Sequence, residues 1–195
     1  MAQPMGLGEF RTNANIVFKR KYRWTFEIDP VCKNVLAIPT YFVKLASRPN
    51  LTIEETEINY LNGKMWIPGK GTWETITVTF YDLADGGQGV SSLYSWLATT
   101  YDFTDPVNLK QSSKVGDWGS DGYSANGKLS LYDGCGTMME QWTLSNMFPQ
   151  AVNFGELDYS SSEEVTIEVT LRYSEAKYEM MCGGKVLACC AGCPT

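Results

Sequence analysis

The stretch "LNGKMWIPGKGTWET", Leu61 to Thr75, holds the glycines and the lysine of a possible phosphate-binding loop: Gly63, then Gly69-Lys70-Gly71-Thr72. Such a loop needs four residues between its first Gly and a Gly-Lys-Ser/Thr, so that backbone N–H groups cradle phosphates and a hydroxyl holds Mg²⁺. Five residues separate Gly63 from Gly69, and Gly71 stands where the hydroxyl is required. The spacing excludes that chemistry. Histidine is absent altogether, which removes Ser-His and Cys-His nucleophiles and His-ligated metals. Ser174-Glu175-Ala176-Lys177 has the Ser-x-x-Lys spacing but lacks its Ser-Asp-Asn and Lys-Thr-Gly companions. Paired carboxylates suffice for glycoside hydrolysis, but 22 acids supply pairs by chance. Cys182, Cys189, Cys190 and Cys193 crowd the end of the sequence, with Cys32 and Cys135 elsewhere. Adjacent Cys189 and Cys190 cannot share one metal without strain, and no second Cys-x-x-Cys exists. Reduced thiols are expected there, and no catalytic residue, metal or cofactor is assigned.

What remains is the framework those residues sit on, and it is mostly strands. Asn62-Gly63 favours a two-residue hairpin turn of type I′, because both residues accept a positive φ. Its flanks, "TEINY" and "KMWI", supply the strands of an arm over about 50–72. "IVFKRKYRWTFEI" (Ile16 to Ile28) alternates, with Phe18, Tyr22, Trp24, Phe26 and Ile28 on one face and Lys19, Lys21, Arg23 and Glu27 on the other. "WETITVTFYD" places Ile76, Val78 and Phe80 inward and Thr75, Thr77 and Thr79 outward. "SEEVTIEVTLRY" repeats the design, with Val165, Ile167, Val169 and Leu171 against Glu164, Thr166, Glu168 and Thr170. Such alternation belongs to antiparallel sheets with one wet face.

"NVLAIPTYFVKLAS" reads as extended and broken at Pro39. "GKLSLYDG" and "MMEQWTLSN" read as strands around a turn at Gly134-Cys135-Gly136, and "FPQAVNFGELDYSSSE" as irregular. One helix is expected at about 89–102, from the spacing of Val90, Leu93, Leu97 and Tyr101 with Ser91 or Ser92 as a cap. A long polar loop at about 102–127 follows it. The strand pattern ends before a Cys-rich tail at 182–195, which is expected to be dispensable for assembly.

The chain has 195 residues, 44% of them hydrophobic, enough for one domain at 1–181 plus that tail. It shows no bilayer-spanning apolar run and no signal peptide, so a cytoplasmic site of synthesis is expected. The net charge of −6 disfavours nucleic-acid binding by attraction.

"INYLNGKMWIPGKGTWETITVTFYD", "GKLSLYDGCG" and "EQWTLSNMFPQAVNFGELDYSSSEEVTIEVTLRY" occur here in order. Together they resemble the tail tube proteins of contractile-tailed phages, over roughly 13–178, and through them the tubes of type VI secretion systems and contractile bacteriocins. The loop at 102–127 and the Cys-rich tail depart from the family. The resemblance implies a small antiparallel β-sandwich or barrel with one flanking helix. Six copies would make a ring with a continuous inner barrel, and the rings would stack into a tube.

Implied partners are other copies of the chain, a sheath, a baseplate and a tape-measure protein. DNA would pass through the lumen without being held, and the assembled location would be the virion.

On that reading Thr75, Thr77, Thr79, Thr166, Glu168 and Thr170 line a neutral or acidic lumen. A basic lumen would hold phosphates. Lys19, Lys21 and Arg23 are therefore assigned to a subunit or ring contact opposite Glu54, Glu55 and Glu57. Trp66 and Ile67 of the arm are assigned to burial against a partner. Two other readings stand beside this one. One is a tube of a secretion system or bacteriocin, which never passes DNA. The other is a monomeric carbohydrate-binding β-sandwich that uses its six Trp and 11 Tyr.

Overall fold

Ile76, Val78 and Phe80, and opposite them Ile167, Val169 and Leu171, are all buried, while the residues between them are not. The two-residue period thus decides which face of each strand meets the core. The computed structural model describes residues 19–29, 38–84, 90–101, 122–182 and 185–187.

The strands, in chain order, are β1 (Trp24–Asp29), β2 (Val43–Ala46), β3 (Leu51–Tyr60), β4 (Gly63–Trp73) and β5 (Ile76–Tyr81). They continue as β6 (Ala125–Tyr132), β7 (Met138–Asn153), β8 (Thr166–Arg172), β9 (Glu175–Cys182) and β10 (Lys185–Leu187). A 3-10 turn spans Thr40–Phe42, and the helix α1 spans Val90–Thr100. Among the described residues the chain is mainly antiparallel β with this one α-helix, as expected.

Eight strands form one folded-over sheet in the order β1-β6-β7-β8-β5-β2, with β9 also paired to β7 and β10 to β9. β3 and β4 form a separate two-stranded ribbon. The inner faces enclose Phe26, Phe42, Phe80, Leu144 and Met147, and α1 contributes Leu93, Trp96 and Leu97 to the same core. Full burial of each such side chain contributes roughly 1.5–3 kcal/mol. Trp96 Nε1 donates to the Tyr123 carbonyl at 2.8 Å, so the largest buried ring has its polar atom satisfied.

β7 makes the fold possible by serving two layers. Its first half lies between β6 and β9, and its second half pairs with β8. Between them Asn146 takes φ 53, at the register shift where Ala125 faces Met147 and Gly127 faces Leu144. A second shift lies between Pro149 and Ala151. These are β-bulges that bend the strand from one layer into the other. The stretch read as irregular from Phe148 is therefore strand through Asn153. Pro149 is tolerated because it lies at a bulge.

Asn is among the few residues that accept the left-handed region. Asn146→Val should cost about 1–2 kcal/mol, and Asn146→Gly roughly 0.5 kcal/mol or less. Urea denaturation midpoints check both.

Several expectations are corrected. The expected strand is not continuous to Ile28: among the described residues strand begins only at Trp24. Lys21 to Arg23 form a turn, Tyr22 is exposed, and residues before 19 lie outside the described set. Ser91 and Ser92 fall inside α1 and not before it. The pattern does not stop short of the cysteines, because β9 runs through Cys182 and β10 pairs back onto it at Lys185↔Cys182. Deleting from Cys182 onward would thus remove a sheet strand. The hairpin turn also sits one residue earlier than expected: Tyr60 faces Gly63, and the positive φ of 50 belongs to Leu61. Cys32, Cys189, Cys190 and Cys193 lie outside the described residues. Cys135 is a free, exposed thiol.

Candidate assembly interface

Three surfaces are built by this framework. The first is the outward face of β2, β5, β8 and the second half of β7. Thr77 faces Thr170, Thr79 faces Glu168 and Tyr81 faces Thr166 across the β5–β8 ladder. Five of the six residues assigned to a lumen thereby share one contiguous polar face, and Thr75 precedes β5 as an exposed residue. Ala151 and Asn153 extend the face on β7. Lys44, whose ammonium lies 5.2 Å from the Tyr81 ring centroid, and Arg172 belong to it as well. Two cations beside one carboxylate make the face close to neutral and not acidic. Spacing did not disclose Lys44, which follows a turn, whereas Arg172 continues the alternation of Thr166, Glu168 and Thr170.

The second surface is the β3–β4 ribbon. Cross-strand pairs place Ile58 beside Met65 and Thr56 beside Ile67 on one side, and Glu57 beside Trp66 on the other. Trp66 and Ile67 therefore point to opposite faces. Both are exposed, as are Ile58, Tyr60, Leu61 and Met65. Glu54 and Glu55 are exposed too, and Glu57 is bridged to Lys64 at 2.7 Å. An isolated two-stranded ribbon is marginal in water. Ile58, Met65 and Ile67 leave one side of it apolar and exposed.

The third is the root of that ribbon, which alternation did not reveal. Glu140 on β7 is 1% exposed and is held by Lys19 Nζ and Arg48 Nη2, with the Tyr178 hydroxyl donating at 3.3 Å. Burial, and then the Glu140 charge, push the Tyr178 phenol upward, so it remains a donor at neutral pH. Two residues along β7, Trp142 packs edge-on to Trp73 at 6.5 Å and against Tyr178 at 4.7 Å. Arg48 lies just before β3 and Trp73 ends β4. Both legs of the ribbon are thus fastened to β7, one by charge and one by aromatic packing.

The basic residues assigned to one strand face separate. Lys19 turns to Glu140, Lys21 is exposed, and Arg23 lies 5.4 Å from the Tyr22 ring centroid. Within the chain none of them faces Glu54, Glu55 or Glu57. Among the described residues no group of His, Cys, Asp or Glu is arranged to hold a metal, and no helix is long and apolar enough to cross a membrane.

No protein-family model matches the chain, and no curated protein matches its sequence. Solved structures do match. One is a chain of the PVC sheath–tube complex, from an extracellular contractile injection system in its extended state. It superposes with a TM-score of 0.61 over 91% of this chain and 100% of that one, at 17% identity. A chain of the 6-fold symmetrised baseplate of the anti-feeding prophage gives 0.60 over 91% and 97%, at 14% identity. A chain of the tube-terminating cap of the same particle gives 0.62 over 86% and 95%, at 18% identity. The resemblance read from the ordered sequence motifs therefore holds in three dimensions, and the chain has the fold of chains from the sheath–tube, cap and baseplate assemblies of contractile injection systems.

Proposed function

We propose that the chain is the structural subunit of the inner tube of a contractile phage tail. Six copies form a ring, rings stack into a tube inside a sheath, and DNA leaves through the lumen. Baseplate and tape-measure proteins seed the tube and set its length. The assembled location is the virion, and the subunit performs no catalysis.

The observation that carries this reading is the layer β2-β5-β8-β7, which has one Thr-rich face, broken at its β2 edge by the exposed Leu45 opposite Thr79, one core face and two open edges. β2 pairs only with β5, and the second half of β7 pairs only with β8, among the described residues. Each step across the layer is antiparallel, so the two edge strands run in opposite directions. Copies related by rotation about an axis along the strands then bring β2 of one beside β7 of the next, antiparallel again. Repetition closes the sheet into a barrel and leaves no free edge, which removes the aggregation hazard of each monomer.

Native mass spectrometry tests the ring. A hexamer is expected, and a monomer at every concentration would contradict it. The reading is of a phage tail and not of a secretion tube because the Thr-rich, near-neutral face suits a wall that DNA slides past. Capsid and terminase genes beside this one are expected, and their absence would favour the secretion tube.

Glu168→Gln should assemble normally. Glu168→Lys should assemble and slow DNA release, more so at low salt, where the Debye length exceeds about 10 Å. Dye-release kinetics from purified phage check this. Equal rates for the wild type and the lysine variant would remove Glu168 from the lumen.

A further inference from the structure

Continuing the β5–β8 register from Ile76↔Leu171 by two residues puts Glu74 opposite Tyr173. Alternation from Ile76 and Leu171 aims both side chains at the core. Tyr173 follows it, at 3% exposed. Glu74 does not. It is turned out to solvent, where the Thr52 hydroxyl donates to its Oε1 at 2.7 Å. Its N–H donates to the Asn50 carbonyl at 3.0 Å. Thr52 lies in β3 and Asn50 just before it, so both partners belong to the first leg of the ribbon. Glu74 and Thr75 are the two residues between β4 and β5. The ladder is thus cut short where the ribbon joins the sheet.

The Tyr173 hydroxyl is buried there without a hydrogen-bond partner among the described residues, and so is Trp142 Nε1. Both rings pack on Trp73, with centroids at 6.1 Å and 6.5 Å. A buried donor without an acceptor carries its full desolvation penalty. Burial pushes the Tyr173 phenol upward, the Arg172 charge opposes this, and the Glu74 charge adds to it. The hydroxyl therefore keeps its proton at neutral pH, and the Glu74 carboxylate is near enough to act on it.

We propose that Glu74 is a two-position latch at the ribbon root. In the described position Thr52 holds the carboxylate outward. In the other it turns inward and accepts from the Tyr173 hydroxyl, and the β5–β8 ladder gains Thr75↔Arg172 and Glu74↔Tyr173. An exposed bond such as that from Thr52 competes with water and has little net worth. A charge-assisted bond at a buried hydroxyl is stronger, and Arg172, one residue away, offsets part of the charge. Turning Glu74 inward releases both of its bonds to the first leg, so the ribbon changes its angle to the sheet. The inward position is the one taken in the polymer, where contacts of the ribbon offset the desolvation of the carboxylate. This rests on the tube reading for its polymer, and it adds the switch that sets the ribbon's angle.

Two substitutions of nearly native shape test the exchange through opposite signs. Tyr173→Phe removes an unpaired hydroxyl, so the urea midpoint of the free chain should stay the same or rise. The critical concentration for polymerisation, measured by sedimentation, should rise by roughly tenfold. Thr52→Val takes a bond from the outward position and should lower the critical concentration by roughly threefold or more. With both substitutions that decrease should vanish, because the inward position has lost its donor. A lower urea midpoint for Tyr173→Phe would mean that the hydroxyl is already bonded in the free chain, and would overturn the proposal. An unchanged critical concentration in either single variant, or effects that simply add in the double variant, would overturn it too. Each of these results leaves the tube intact. Failure of the wild type to polymerise removes both.

Discussion

Replacing Glu140 by Gln is expected to lower the stability of the folded chain by about 2–4 kcal/mol. Removing one partner of a buried ion pair commonly costs about 3–5 kcal/mol, because a charge is left buried and unpaired. Here the two cations left behind are partly in water already, Lys19 at 44% exposed and Arg48 at 54%. They recover some hydration, which trims the cost. For a chain of this size the melting temperature should fall by roughly 4–16 °C. Glu140→Leu removes the polar demand as well, but it strands both cations at an apolar wall and should be no milder than Gln. Urea denaturation decides the matter. A change within about 0.5 kcal/mol, the range of ordinary surface substitutions, would mean that the cluster holds nothing. The same variant frees one leg of the ribbon while Trp73 still holds the other. Assembly should therefore weaken beyond what the stability loss explains.

Replacing Trp66 and Ile67 together by Ser is expected to leave the monomer intact and to abolish polymerisation. Trp66 is 54% exposed and Ile67 40%, on a ribbon separate from the main sheet, so their removal withdraws little from the core. The melting temperature should move by no more than about 2 °C, as for ordinary surface changes. Buried in a partner, a Trp of this kind contributes about 2 kcal/mol or more. Two such losses weaken association by on the order of 10³-fold. Because the two side chains point to opposite faces of the ribbon, each single substitution should show part of the effect. Each would report on a different neighbour. Unfolding of the isolated chain by the double substitution would instead make them part of its core.

The strands that align the polar face were legible because each has one wet side. Ile76-x-Val78-x-Phe80 and Ile167-x-Val169-x-Leu171 declare inside and outside without help. β7 was only half legible, since a strand that changes layers must break its own alternation. Its Asn146 and Pro149 read locally as punctuation when they are bulges. β9 carried a signal that could have been found: Ala176 and Tyr178 alternate with Lys177 and Glu179, weakened by the small Ala and the soft Met180-Met181. Glu140 was invisible because its partners lie 121 and 92 residues away in sequence. A lone Glu between two Met and a Gln looks like surface. The scatter of Lys19, Lys21 and Arg23 has a similar cause, for the alternation was extrapolated through a turn that no Gly or Pro announces.

The central claim is that this chain is built to polymerise head-to-tail and edge-to-edge into a hollow tube. Electron microscopy of the purified full-length protein, alone and with baseplate seeds, tests it most directly. The expected result is rings with sixfold symmetry that stack into tubes, with β5 and β8 presenting Thr77, Thr79, Thr170 and Glu168 to the lumen. Dispersed monomers at high concentration, even on seeds, would contradict it, and so would a tube whose wall turned that face outward.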